Sequence, residues 1–127
     1  MTTGKKYIVL NMENKIWKLD GFEVSEEEMM KHFGFVYLIE LSDGRRYIGK
    51  KQILNFTFKQ VNSYNSSNTT IKENKALISK KKVLQWASSK RELTYLETKY
   101  LFTHNVLEDV RFQNGNILGK FYKGKLK

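Results

Sequence analysis

The chain has 127 residues, 40% of them hydrophobic, and carries 23 Lys and Arg against 13 Asp and Glu, a formal net charge of +10. That length suits one domain with a modest core, the hydrophobic share argues against wholesale disorder, and the charge points to a polyanionic partner, nucleic acid first. With no cysteine and two histidines, His32 and His104, the sequence excludes a disulfide frame, a thiolate nucleophile and a histidine-rich metal cage.

No N-terminal apolar run reaches signal-peptide or membrane-spanning length, so the expectation is a cytosolic protein without a membrane partner. Proline is absent, which leaves glycine and asparagine to mark the turns. Residues 5–11, KKYIVLN, read as a short strand, and residues 15–24, KIWKLDGFEV, as two extended pieces around Asp20-Gly21. Ser25 followed by Glu28 has capping-box spacing and opens a short helix ending near His32. A hairpin follows in GFVYLIELSDGRRYIGKK, residues 34–51. Residues 54–68 are polar and without a clear period, which predicts a loop or weak strand. Thr70 and Glu73 repeat the capping spacing and predict a helix through about Lys80, KKVLQWAS forms a third main strand, and Ser89 with Glu92 caps a helix to about Asn105. The basic, glycine-punctuated tail reads as a last strand and surface loops. The order β-β-α-β-α predicts an α+β fold: a small mixed or antiparallel sheet flanked by helices, one domain over residues 1–127, with a β/α extension at 1–32 and a core at 33–122.

Side chains alternate faces along a strand, so the hairpin loop decides where Tyr37 and Tyr47 point. A two-residue Asp43-Gly44 turn pairs Glu40 with Tyr47 and separates the tyrosines. A three-residue Ser42-Asp43-Gly44 loop, with Gly44 left-handed, pairs Ile39 with Tyr47 and Tyr37 with Gly49. Tyr37, Tyr47, Arg45 and Lys51 then look the same way, and Gly49 leaves room beside Tyr37 for a substrate. An ordinary amphipathic hairpin with half-buried tyrosines satisfies the same spacing.

On the late helix, Leu93, Leu96, Tyr100 and Leu101 form an apolar stripe, and Glu97 falls inside it. An unpaired carboxylate there needs a cation, a strong donor or an opening to solvent. A metal site, a salt bridge to a lysine and a wet rim position each meet that need. Glu92 is explained as a cap, Glu40 and Glu108 as surface charges, and His104 as a satisfied core or surface residue.

FVYLI, followed after seven residues by YIG, resembles the two halves of the motif that names the GIY-YIG nuclease superfamily, with Phe35-Val36-Tyr37 in place of GIY and Tyr47-Ile48-Gly49 intact. The longer pattern of Trp17, Gly21, GFVYLI, YIGKK and ELTYLETKYLFTHNVL is similar to small phage-encoded endonucleases of that superfamily. The resemblance implies hydrolysis of a DNA phosphodiester. Tyr47, or Tyr37 through a water, activates the nucleophile, Glu97 holds one Mg²⁺ or Mn²⁺, and a basic side chain stabilises the transition state. A phenol acts as a base near neutral pH only with help from nearby positive charge. Asn114 matches an asparagine that steadies the active site, and Tyr64, Ser66 and Ser67 match a serine-rich stretch. The arginine usual after YIG is missing, since none lies between Arg46 and Arg91, which leaves Lys51 or Lys59 as its substitute. Lys51 joins Tyr37, Tyr47 and Glu97 as catalytic, while Arg45, Lys50, Lys59 and Asn114 are the candidate DNA-binding residues. Binding leans on phosphates through lysines at 50–51, 72–82 and 120–127, with weak or structure-based selectivity, and a homodimer would place two sites on opposite strands. The competing expectation is a catalytically inactive member of the fold that binds nucleic acid or a host protein.

Overall fold

A computed structural model describes residues 15–127; the expected strand at 5–11 lies outside them. Strands β1 (Lys18–Leu19) and β2 (Phe22–Glu23) turn on Asp20-Gly21, whose φ angles of 51° and 86° are the left-handed pair that a two-residue hairpin requires. Helix α1 (Glu26–Met29) is a short helix whose first turn is closed by the Ser25 hydroxyl accepting from the Glu28 N–H at 3.1 Å. Then come β3 (Gly34–Leu41), β4 (Arg46–Gln52), α2 (Phe58–Asn62), α3 (Thr69–Glu73), β5 (Ile78–Ala87) and α4 (Lys90–Thr103). A small hairpin of β6 (Asn116–Ile117) and β7 (Phe121–Tyr122) ends the fold. The main sheet has the order β2-β1-β5-β3-β4, with β5 antiparallel to β3 and parallel to β1. The architecture is therefore α+β with a mixed sheet, as expected.

Three predicted elements differ. Residues 54–68 are neither strand nor wholly loop, because Thr57 and Gln60 form a reciprocal capping box that opens α2 and anchors Val61 in the core. The next helix is capped by Asn68, whose side chain accepts from the Ile71 N–H at 3.1 Å, and ends at Glu73 rather than Lys80. A 3₁₀ turn at Lys75–Leu77 follows, and residues 78–80 join β5 because Leu41 and Glu40 of β3 pair with Ile78 and Lys80. Sheet pairing overrides the helical pattern there. The late helix ends at Thr103, with Asn105 left-handed at φ 52°.

Strand β3 is buried on both faces, which explains its unbroken apolar run. On one face Phe35, Tyr37 and Ile39 pack with Trp17, Met29, Val61 and Ile71. On the other, Val36 and Leu38 pack with Ile48 and with Leu93, Leu96 and Leu101 of α4. Trp17 is the keystone of the first core. It meets Phe35 and Tyr37 edge-on at 5.0 and 5.3 Å, and its indole donates to the Val61 carbonyl at 3.0 Å. A β-bulge interrupts the β3–β5 ladder: Val36 faces Gln85, but Tyr37 faces Val83. Among the described residues no helix is long and apolar enough to cross a membrane.

Candidate active site

The hairpin closes through the three-residue loop. Leu41 and Arg45 flank it, with the Leu41 N–H donating to the Arg45 carbonyl at 2.8 Å, and Gly44 has φ 95°. Tyr37 therefore lies opposite Gly49 and Ile39 opposite Tyr47, which puts both tyrosines on the face of the Trp17 core. The space at Gly49 is not left for substrate, as the sequence suggested; it is filled by the tyrosines themselves. A Cβ there would stand 2.5 Å from the Tyr37 hydroxyl oxygen and 2.8 Å from Tyr47 Cε2. Gly49→Ala is accordingly expected to lower stability by about 1–3 kcal/mol through overpacking, read as a drop in Tm.

Tyr37 is 1% exposed. Its hydroxyl donates to Ser66 Oγ at 3.0 Å and lies 3.5 Å from the Tyr64 hydroxyl. Burial, then the Tyr64 phenol, pushes its pKa well above the usual phenolic value. These contacts make Tyr37 a frame for the site rather than a group that reaches solvent. Tyr47 is half-buried, and its pKa is pushed up to about 12 by burial and next by the charge of Glu97. The basic rim was expected to pull this phenol down; burial and then the carboxylate push it up instead.

Glu97 comes from α4, half-buried within its apolar stripe. Burial raises its pKa, and Lys50 opposes the shift. Lys50 Nζ lies 4.0 Å from Glu97 Oε1 and donates to Thr94 Oγ1 at 2.9 Å. Among the described residues no hydrogen bond reaches the carboxylate, so it is a desolvated acid with one loosely placed cation. Lys51 lies on the tyrosine side, its ammonium 3.6 Å above the Phe56 ring and 4.7 Å from the Tyr64 ring, with its pKa lowered by burial.

The remaining candidates separate. Arg45 is folded back on Asp43 at 2.8 Å, and Lys59 is exposed on α2. Asn114, expected at the DNA, is 4% exposed and spends both ends of its amide on β4: Ile48 N–H donates to its Oδ1 at 3.1 Å, and its Nδ2 donates to the Ile48 carbonyl at 2.7 Å. It offers DNA no free group and instead braces the strand beneath Tyr47. Glu40, read as a surface charge, is half-buried and paired with Arg46, with Lys80 at 3.9 Å. Burial pushes its pKa up, but the Arg46 pairing outweighs this and leaves it lowered. His104 stacks on Tyr100 at 6.0 Å. Lys81, counted from sequence among the phosphate-binding lysines, is 2% exposed and faces the first core. Sequence reasoning missed it, along with Phe56 and Thr94. The capping-box spacing of Thr57 and Gln60 was the one signal that could have anchored this region.

The hairpin thus carries both tyrosines on one face, the buried Asn114 braces its second strand, and Glu97 of α4 lies near Lys50 of that strand. Residues 17–122 match the family described as "Putative endonuclease segE, GIY-YIG domain", and the chain belongs to that family. No curated protein and no solved structure matches it.

The family implies a divalent cation. Among the described residues no three His, Cys, Asp or Glu side chains cluster to cage one. A single open carboxylate does fit Mg²⁺, which binds through one or two carboxylates and completes its shell with water and substrate phosphate. Glu97, half-buried and without a hydrogen-bond donor among the described residues, is the residue that would hold it.

Proposed function

We propose that the protein is a divalent-metal-dependent endonuclease that hydrolyses DNA phosphodiesters, with Tyr47 of β4 and Glu97 of α4 as its reacting groups. The observation that carries this is the state of Glu97: a half-buried carboxylate on α4 that no hydrogen bond reaches among the described residues, with only the Lys50 ammonium near it at 4.0 Å. Lys50 and Lys51 flank the pair and draw in the phosphate as point charges, in place of an arginine fork. Glu97 would hold the cation, which would supply Lewis-acid polarisation of the scissile phosphate.

Tyr47 is protonated at neutral pH and presents its hydroxyl to the attacking water. Neutralising Glu97 would remove the second cause of its raised pKa, so the phenol would give up its own proton more readily and, as phenolate, could take one from the attacking water. Tyr37 fixes the Tyr47 ring across Gly49. The net charge of +10 suits backbone binding with little sequence preference, and a second copy would supply the cut on the opposite strand.

One observation favours a binding module without hydrolysis: Arg45, Arg46 and Arg111 are each tied to a carboxylate rather than free to grip a phosphate. Supercoiled plasmid separates the two readings. Nicking in Mg²⁺ or Mn²⁺ that stops with EDTA is the expected result; plasmid retarded on a gel but never nicked under any divalent ion would establish the binding module.

A further inference from the structure

Lys81 is the middle lysine of the run at 80–82, yet it points inward while its neighbours do not. The bulge opposite Tyr37 sets this parity, placing Val83 beside Tyr37 and Lys81 beside Ile39. Its amino group donates to the Asn62 carbonyl at 3.1 Å and to Asn65 Oδ1 at 3.0 Å, and it lies 4.5 Å from the centre of the Trp17 ring. The Asn62 carbonyl is at the C-terminal end of α2, where a cation suits the helix dipole. Among the described residues Lys81 has no carboxylate partner; burial, with Lys15 adding to the effect, pushes its pKa down to about 7. A methionine filling the same volume would avoid that penalty, so the amine is not there for packing alone.

What it holds is the segment at 62–66. Ser66 of that segment is left-handed at φ 83°, takes the Tyr37 hydroxyl at 3.0 Å, and accepts the Asn68 N–H at 3.0 Å. Tyr64 of the same segment meets Tyr37 edge-on at 5.8 Å and underlies Lys51 at 4.7 Å. Lys81 and Tyr37 are thus two fasteners of one loop, one at each end.

We propose that Lys81 is a positioning residue of the nuclease site, pinning residues 62–66 to the sheet so that Ser66 and Tyr64 hold Tyr37 and Lys51 in working geometry. The catalytic consequence rests on the endonuclease reading; the pinning itself does not.

The test uses full-length Lys81→Met and, as a milder break of the same latch, Asn65→Ala. Amide hydrogen exchange is followed at 63–68 and in α4, and kcat and KM for plasmid nicking are measured in parallel. Protection should fall at 63–68 while α4 keeps its own, and kcat should fall about tenfold to a hundredfold with KM little changed, as displacement by an ångström predicts. Lys81→Arg, which restores donors to the same acceptors, should recover part of the kcat. Unchanged protection at 63–68 in both variants overturns the latch, and loosened amides with wild-type kcat overturn its role in positioning. Should the wild type nick nothing, the exchange data still decide the latch, and the endonuclease reading alone fails.

Discussion

Replacing Glu97 by alanine is expected to abolish metal-dependent nicking, a loss of at least about a hundredfold to a thousandfold, while gel-shift affinity for the same DNA stays nearly unchanged. The lysines proposed to meet phosphate, Lys50 and Lys51, are untouched by the change, and Glu97 adds nothing attractive to a polyanion. Stability should move the other way. Burial raises the folded-state pKa of Glu97 above that of the unfolded chain, so the folded state binds its proton more tightly. Its contribution is present at low pH and is lost as pH rises through the folded pKa; at neutral pH the ionised acid is a burden on the fold. Glu97→Ala should therefore match or exceed the wild-type Tm at pH 7. A variant that gains stability and loses activity marks a group kept for chemistry. A variant that loses both would mean that Glu97 is a structural ion pair with Lys50.

Tyr47→Phe should separate the phenol from the ring. The ring packs across Gly49 against Tyr37, with centroids 6.2 Å apart, and phenylalanine keeps that packing. Melting near pH 7 should be nearly unchanged, whereas kcat should fall about a hundredfold to ten-thousandfold, the range for removing a general acid or base. A pH signature accompanies this. The folded pKa near 12 lies above the ordinary phenolic value of about 10. The folded protein holds that proton more tightly, so stability is present below pH 10 and is lost as pH rises from about 10 to about 12. Melting curves across that window should decline less steeply in the variant than in the wild type.

The parts of this site that sequence displayed were those governed by local rules. The Ser42-Asp43-Gly44 loop needs one left-handed residue, Gly44 supplies it, and the parity that puts Tyr37 opposite Gly49 follows. Glu97 stood out because helical periodicity placed an acid within an apolar stripe. The Ser25 and Ser89 caps were legible for the same reason: each hydroxyl accepts from the N–H of the glutamate three residues on. The rest depended on contacts between distant segments. Nothing near Asn114 says that its amide will lie against Ile48, 66 residues away. The bulge at Tyr37 breaks the two-residue period of β5, so an inward Lys81 reads from sequence as one more solvated charge. Residues 54–68 carry too little apolar content to announce α2; Val61 and the capping box fix that helix only once the Trp17 core receives it.

Glu97 is the proposed point where a divalent cation and the scissile phosphate meet beside Tyr47. Crystals grown with a short DNA duplex and Mn²⁺ test this through the anomalous signal of the metal. The expected result is a peak about 2.0–2.2 Å from a Glu97 carboxylate oxygen, with a phosphate oxygen completing its shell and the Tyr47 hydroxyl facing the same phosphorus. A map with DNA bound, no metal at Glu97, and the Lys50 ammonium closed onto that carboxylate would contradict it.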